Sequence, residues 1–211
     1  MNLVELVPDC FLFDTDVPCS LRTLQALAAV GFRGGVRTVT CSAAPDPSDI
    51  TEREVDDFMT AGLGLMLYQR PRDPGWIPSA MLGKADAEVF VAKATAAGYL
   101  AGGSTWDDLE GIGGSGTATL AYANERVADL KKAGYLLGDY IGFDVPLTSD
   151  ELYYRLTAAS YWKSISNVPD VAVRGYALVQ IAENVSIAGV TVDVSLARAD
   201  RLGGRAFWMR P

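Results

Sequence analysis

Residues 97–111 read Ala-Gly-Tyr-Leu-Ala-Gly-Gly-Ser-Thr-Trp-Asp-Asp-Leu-Glu-Gly, and both halves of that stretch bear on the fold. The first half, Ala97-Gly98-Tyr99, follows an alanine-rich, helix-like run. A glycine just past a helix adopts the left-handed conformation that closes it, and the next apolar residue packs back on the helix. The same turn occurs at Val30-Gly31-Phe32, Ala61-Gly62-Leu63 and Ala133-Gly134-Tyr135. The interval between these glycines is about the length of one βα unit, so the repeat predicts a parallel sheet with crossover helices. The second half, Ser104 to Gly111, reads as a strand with Asp108 and Glu110 two residues apart. Side chains at i and i+2 of a strand share a face, so these two carboxylates converge while Asp107 faces away.

Filling in the units outward from this stretch gives strands at Cys10 to Asp14, Gly35 to Thr40, Leu65 to Gln69, Ser104 onward and Leu136 to Gly142. Four helices follow the first four strands. The first is capped by Ser20, with Leu21, Leu24, Leu27 and Val30 as its apolar positions. The second is capped by Thr51, with Glu54 at the spacing of a capping box. A loop containing Pro71, Pro74, Trp76 and Pro78 leads to the third, from about Lys84 to Ala97, and the fourth runs from about Thr117 to Ala133. Beyond this the regularity fades. Ser149 caps a short helix through Ala158, and Tyr161 to Ser164, Tyr176 to Ile181 and Thr191 to Leu196 read as strands with links too short for full helices. The expected fold class is α/β, a TIM-like (β/α) barrel of five βα units followed by three strands with few or no helices, and the expected organisation is one domain over residues 1–211. An open doubly wound sheet is the topological alternative.

Composition narrows the function. With 49% hydrophobic residues the chain can bury a sizeable core. The balance of 18 basic against 26 acidic residues, net charge -8, argues against a surface that tracks phosphates, so no nucleic-acid partner is expected. No stretch is apolar for long enough to span a membrane, and Met1 to Cys10 carries Glu5 and Asp9 without a basic residue ahead of an apolar run. No secretory signal is therefore expected in this chain, and release by a non-classical or phage-type route stays open. Cys10, Cys19 and Cys41 lack metal-ligand spacing and read as buried thiols, a Cys10–Cys41 bridge between neighbouring strands being left open. The absence of histidine removes Ser-His and Cys-His hydrolase arrangements and the usual zinc sites. Carboxylates, tyrosines and lysines are the candidate proton carriers, with no metal or cofactor expected.

In a parallel barrel the site lies at the C-terminal ends of the strands. Those ends collect Asp14, Asp16, Arg37, Tyr68, Gln69, Asp108, Glu110, Tyr140, Trp162, Gln180 and Asp193. Acids inside apolar segments such as Phe11-Leu12-Phe13-Asp14 are costly unless paired or used. Several acids, one arginine and amphipathic rings around one mouth suit a carbohydrate, with carboxylates to hold hydroxyls or protonate a glycosidic oxygen. Asp14 also fits a turn cap, Arg37 a buried ion-pair partner, and Tyr140 and Trp162 core packing. The glycine-rich run Gly111 to Gly116 lacks the Lys-Ser or Lys-Thr of a phosphate loop and reads as a mobile lip beside the site. Asn184-Val185-Ser186 has the glycosylation pattern.

These motifs resemble the glycoside-hydrolase-like barrel domains of bacteria that are related to the family 25 (Chalaropsis-type) lysozymes. Phe13-Asp14-Thr15 is similar to the family's opening strand, and Gly31-Phe32-Arg33 with Val36-Arg37 to its Gly-Tyr-Arg and Gly-Arg-Tyr stretch. Lys132 to Tyr140 is similar to its fifth strand, Trp162 to the tryptophan of the sixth, Gln180 to the glutamine of the seventh, and Val192-Asp193 to the Val-Asp of the last. Ile181 stands where the family has a tyrosine, and Val194-Ser195 where it has Leu-Asn. The resemblance implies a glycosidase acting on an N-acetylated, peptidoglycan-like glycan. In it Glu110 is the general acid and Asp108 orients the N-acetyl group that attacks in a substrate-assisted route. Asp14, Arg37, Tyr68, Tyr140, Trp162, Gln180 and Asp193 are the substrate-binding residues. The other reading is a catalytically inactive barrel serving as a glycan-binding or structural module of a larger secreted or phage-derived assembly.

Overall fold

The computed structural model describes residues 1–70 and 72–211; Pro71, in the proline-containing loop, lies outside them. In chain order the elements are β1 (Asn2–Glu5), β2 (Phe11–Thr15), α1 (Leu21–Ala29), β3 (Gly34–Val39), α2 (Glu52–Thr60), β4 (Gly64–Gln69), α3 (Ala80–Ala96) and β5 (Ser104–Leu109). They continue with α4 (Gly116–Lys132), β6 (Leu136–Ile141), α5 (Ser149–Tyr154), β7 (Tyr161–Lys163), β8 (Leu178–Ile187), β9 (Val190–Ala197) and β10 (Phe207–Arg210). Strands β2 to β9 form a closed eight-stranded barrel, each hydrogen-bonded to the next, with β9 returning to β2. This is the expected TIM-like barrel rather than an open sheet. The four repeated glycines have positive φ, between 73° and 111°, as the end-of-helix turn demands.

The barrel is not parallel throughout. β9 runs antiparallel to both β8 and β2, although the sequence predicts parallel strands. The cause is local: Ile187 pairs with Val190 across Ala188 and Gly189, both at positive φ, and such a two-residue turn reverses the chain at once. Asp193 therefore reaches the mouth from a strand running downward, directly opposite Asp14 in the β2–β9 register.

Alternation along the strands divides the apolar residues into two layers. Leu12, Val36, Met66, Trp106, Tyr140, Trp162 and Leu178 fill the barrel interior, while Phe13, Val39, Leu65, Leu67 and Leu137 pack outward under the helices. The sequence reading missed β1 and β10, which pair with each other and join β4 at Met209. They bring Trp208 into the interior, where its indole lies against Gly34 and Gly64. A Cβ on Gly64 would stand 2.3 Å from that ring, so glycine is required on the facing strands.

Other boundaries shift for identifiable reasons. α3 starts at Ala80, with Ser79 accepting from the Leu82 N–H, earlier than Lys84 because Gly83 sits inside the helix against the Tyr122 carbonyl of α4. Thr51 caps α2 by accepting from the Glu54 N–H, but the reciprocal half of the capping box is absent because the Glu54 carboxylate goes to Arg37 and to the Cys19 N–H. A complete capping box forms instead at α5, between Thr148 and Glu151. The three thiols are free, so no Cys10–Cys41 bridge forms. Among the described residues no helix is long and apolar enough to cross a membrane.

Candidate active site

A pocket of about 490 Å³ opens at the end of the barrel where the parallel strands finish. Every barrel strand but β3 delivers inward side chains to the pocket, among them Asp14 from β2, Tyr68 from β4, Asp108 from β5, Tyr140 from β6, Trp162 from β7, Gln180 from β8 and Asp193 from β9. Glu110, one residue past β5, keeps the phase of Asp108 and lines the same pocket. Asp107 points the other way, into the layer between barrel and helices, where the Arg126 guanidinium of α4 lies 3.2 Å from its carboxylate.

Glu110 is fixed by its backbone. Its carbonyl accepts from the Trp76 indole N–H at 2.9 Å. The Gly111 N–H donates to the Phe143 carbonyl at 2.8 Å, the Gly111 carbonyl accepts from Gly75, and the Gly113 N–H donates to the Trp76 carbonyl. The glycine-rich run is therefore stitched to its neighbours rather than forming the expected free lip. Its glycines are needed for close approach, since a Cβ on Gly113 would stand 2.5 Å from the Gly75 carbonyl oxygen.

The polar side chains form a graded set. Burial, then the charges of Glu110, Asp107 and Asp14, pushes Asp108 well above the usual carboxylate range. Burial, then Asp193 and Glu183, does the same to Asp14. Glu110 is less enclosed, and burial with the charges of Glu183 and Asp193 raises it to about 7. Asp193 is also raised by burial, against hydrogen bonds from Asn184 N–H at 2.7 Å and Gln180 Nε2 at 3.0 Å. Tyr140 donates to Gln180 Oε1 at 2.9 Å, which completes a Tyr140–Gln180–Asp193 chain. Asp14 Oδ2 and Asp108 Oδ1 are buried acceptors without a hydrogen-bond partner among the described residues. Such a set can present neutral carboxyl groups as donors, one acid titrating near neutrality, and one oriented acceptor.

Two expectations are corrected. Arg37 does not reach the mouth: it is on the outward face of β3, 0% exposed, with Nε 2.7 Å from Glu54 and further bonds to the Thr15 and Ser48 carbonyls. Its position follows from strand phase, because Val36 and Thr38 take the inward slots. Trp162 and Tyr140 line the pocket but are only 2% and 8% exposed, and the Trp162 indole N–H is spent on Ser195 Oγ at 3.0 Å. They form the floor, not open platforms.

The site also contains residues that sequence reading missed. Glu183 and Asn184 line the pocket because β8 carries register shifts on both sides of Ala182, and Asn184 has φ 55°. The extra residues turn side chains out of simple alternation. The asparagine, which tolerates the left-handed region, was the available signal. Phe143 and Val17, from the loops after β6 and β2, complete the rim with Asp16 and Arg70, themselves 3.5 Å apart. No group of three or more histidine, cysteine, aspartate or glutamate side chains among the described residues is placed to hold a metal ion.

No family model and no curated protein sequence matches this chain. Solved structures do. The Mycobacterium tuberculosis Tat-secreted protein Rv2525c, in complex with L-tartrate, superposes with a TM-score of 0.66 at 16% identity, over 93% of this chain and 98% of that one. The bacterial lysozyme from Streptomyces coelicolor gives 0.63 at 15% identity, over 92% and 94%. The modular autolysin LytC from Streptococcus pneumoniae, in complex with a synthetic peptidoglycan ligand, gives 0.59 at 12% identity, over 90% of this chain and 46% of that one. The chain thus has the barrel fold of these solved structures, a bacterial lysozyme among them.

Proposed function

We propose that this protein is a glycoside hydrolase acting on an N-acetylated, peptidoglycan-like glycan. The observation that carries the reading is the convergence of Asp108 and Glu110, with Asp14 and Asp193, on one solvent-reachable pocket. Glu110 is the general acid. Its raised pKa of about 7 keeps a proton available near neutral pH for the departing glycosidic oxygen. Asp108, two residues back on the same face, offers its unpartnered Oδ1 to the amide N–H of the N-acetyl group and so steers that group's carbonyl toward the anomeric carbon. Asp14 and Asp193 flank the bound sugar, and the Tyr140–Gln180–Asp193 chain holds Asp193 in one rotamer. Further support comes from the barrel's likeness to a lysozyme and to a peptidoglycan-bound autolysin.

One observation favours a second reading. Asp14 Oδ2 and Asp108 Oδ1 line the pocket as buried acceptors without a hydrogen-bond partner among the described residues, which suits a barrel that holds glycan hydroxyls without cleaving the chain. Incubation with purified peptidoglycan and N-acetylglucosamine oligomers, followed by mass analysis, separates the two. The hydrolase yields new reducing ends, and Glu110→Gln lowers their release by about 10²- to 10⁴-fold without lowering the melting temperature. Undiminished turnover in Glu110→Gln excludes the assigned role, and binding without products leaves the second reading.

A further inference from the structure

The proposed function leaves open what holds the sugar ring. The aromatic residues expected to do so, Tyr140 and Trp162, are buried in the floor. Phe143 is different: it lines the same pocket and is 39% exposed. An exposed aromatic ring at the edge of a carboxylate-lined pocket gains nothing from water and is placed to receive an apolar face.

Its placement is tied to Glu110. Residues 141–143 continue the β5–β6 ladder past the strand ends: the Gly142 N–H donates to the Leu109 carbonyl at 3.1 Å, and the Phe143 carbonyl accepts from Gly111. Gly142 lies flat against the Glu110 side chain, where a Cβ would come within 2.3 Å of Glu110 Cβ and 2.5 Å of its Oε2. Immediately afterwards Asp144 adopts φ 57°, a left-handed conformation that aspartate takes more readily than most residues, which turns the chain away and leaves Phe143 at the rim. Across the mouth, Val17 follows β2, the strand opposite β6 in the eight-stranded ring, and it too lines the pocket, 44% exposed. Two open apolar side chains thus line one polar pocket from opposite sides of the ring, one of them next to Glu110.

We propose that Phe143, with Val17 opposite, is the specificity-determining platform for the sugar unit beside the bond presented to Glu110. The unit it takes is an uncharged pyranose with equatorial substituents, of the N-acetylglucosamine kind. Equatorial substitution clears each face of the ring to C–H bonds, so one face stacks on Phe143 while Val17 bounds the pocket on the far side and the ring's edge hydroxyls remain free for the carboxylates. This rests on the glycosidase reading, and the test separates the two.

The test is calorimetric titration of the chitin tetrasaccharide into Glu110→Gln protein, which binds without turnover. Adding Phe143→Ala is expected to weaken binding about tenfold. Adding Phe143→Tyr is expected to preserve it, and adding Val17→Ala to weaken it by a smaller factor; thermal melts establish that each variant is folded. Unchanged affinity in folded Phe143→Ala, with the parent binding normally, overturns the platform and leaves the proposed function standing. If Phe143→Ala does not fold, equal loss of affinity in folded Phe143→Tyr and Val17→Ala overturns it. Failure of the Glu110→Gln parent to bind overturns both.

Discussion

Glu110 and Glu183 show how one residue tunes another at this site. Burial and then the Glu183 charge hold the Glu110 proton up to about 7, and Glu183 is at the rim only because of the irregular stretch around Ala182 and Asn184. Replacing Glu183 with glutamine removes a negative neighbour and so favours ionised Glu110, lowering its pKa. If Glu110 works as an acid, activity is present below that pKa and lost above it. The alkaline limb of the pH–rate profile is then expected to move to lower pH in Glu183→Gln with little change on the acid side. A limb that stays in place or moves upward contradicts the coupling. Phe143 belongs at the same scale, being one side chain whose exposure, not its type, separates it from the buried rings below.

At the level of elements, Arg37 illustrates how strand phase overrides residue type. An arginine near a strand end looks like a binding residue, yet the outward slot on β3 delivers it to α2, where Glu54 is its partner and both are shielded from water. The pair fixes the start of α2 against the sheet and ties in the Thr15 and Ser48 carbonyls. Removing one partner strands a buried charge, so Arg37→Met is expected to cost about 3–5 kcal/mol in denaturant unfolding. Glycan affinity of the protein that remains folded should be unaltered. A large loss of affinity at unchanged stability would restore the binding role. The same logic reads Asp107 as the anchor of β5 to α4 through Arg126 while its neighbour Asp108 serves the pocket.

Over the whole molecule, the buried carboxylates set how stability responds to pH. Asp14, Asp108 and Asp139 are held well above the usual carboxylate range, mainly by burial, Asp107 is raised to about 6 and Glu110 to about 7. Groups whose pKa is raised on folding bind more protons in the native state. Their contribution is fully present below the unfolded values near 4 and is lost as pH rises through the folded ones. The opposing set, Asp46 and Glu151, lowered chiefly by hydrogen bonds at Ser48 and Thr148, is partly exposed and acts only at lower pH. The melting temperature is therefore expected to be higher at pH 5 than at pH 8, and scanning calorimetry across that window checks it. A rise toward pH 8 would mean that these acids are ionised and paired in the native protein.

What the sequence determined by itself is local and periodic. Glycines that must close helices marked out the βα units, and two-residue alternation put Asp108 and Glu110 on one face and Asp107 on the other, because both follow from backbone geometry within a few residues. The tertiary structure decided the rest: the reversed β9 that sets Asp193 against Asp14, the bulged β8 that brings in Glu183, the Trp208 plug from the chain terminus, and the burial that makes floor of Trp162 and rim of Phe143. Each depends on contacts between residues far apart in the chain, where packing and desolvation, not local propensity, set position and charge.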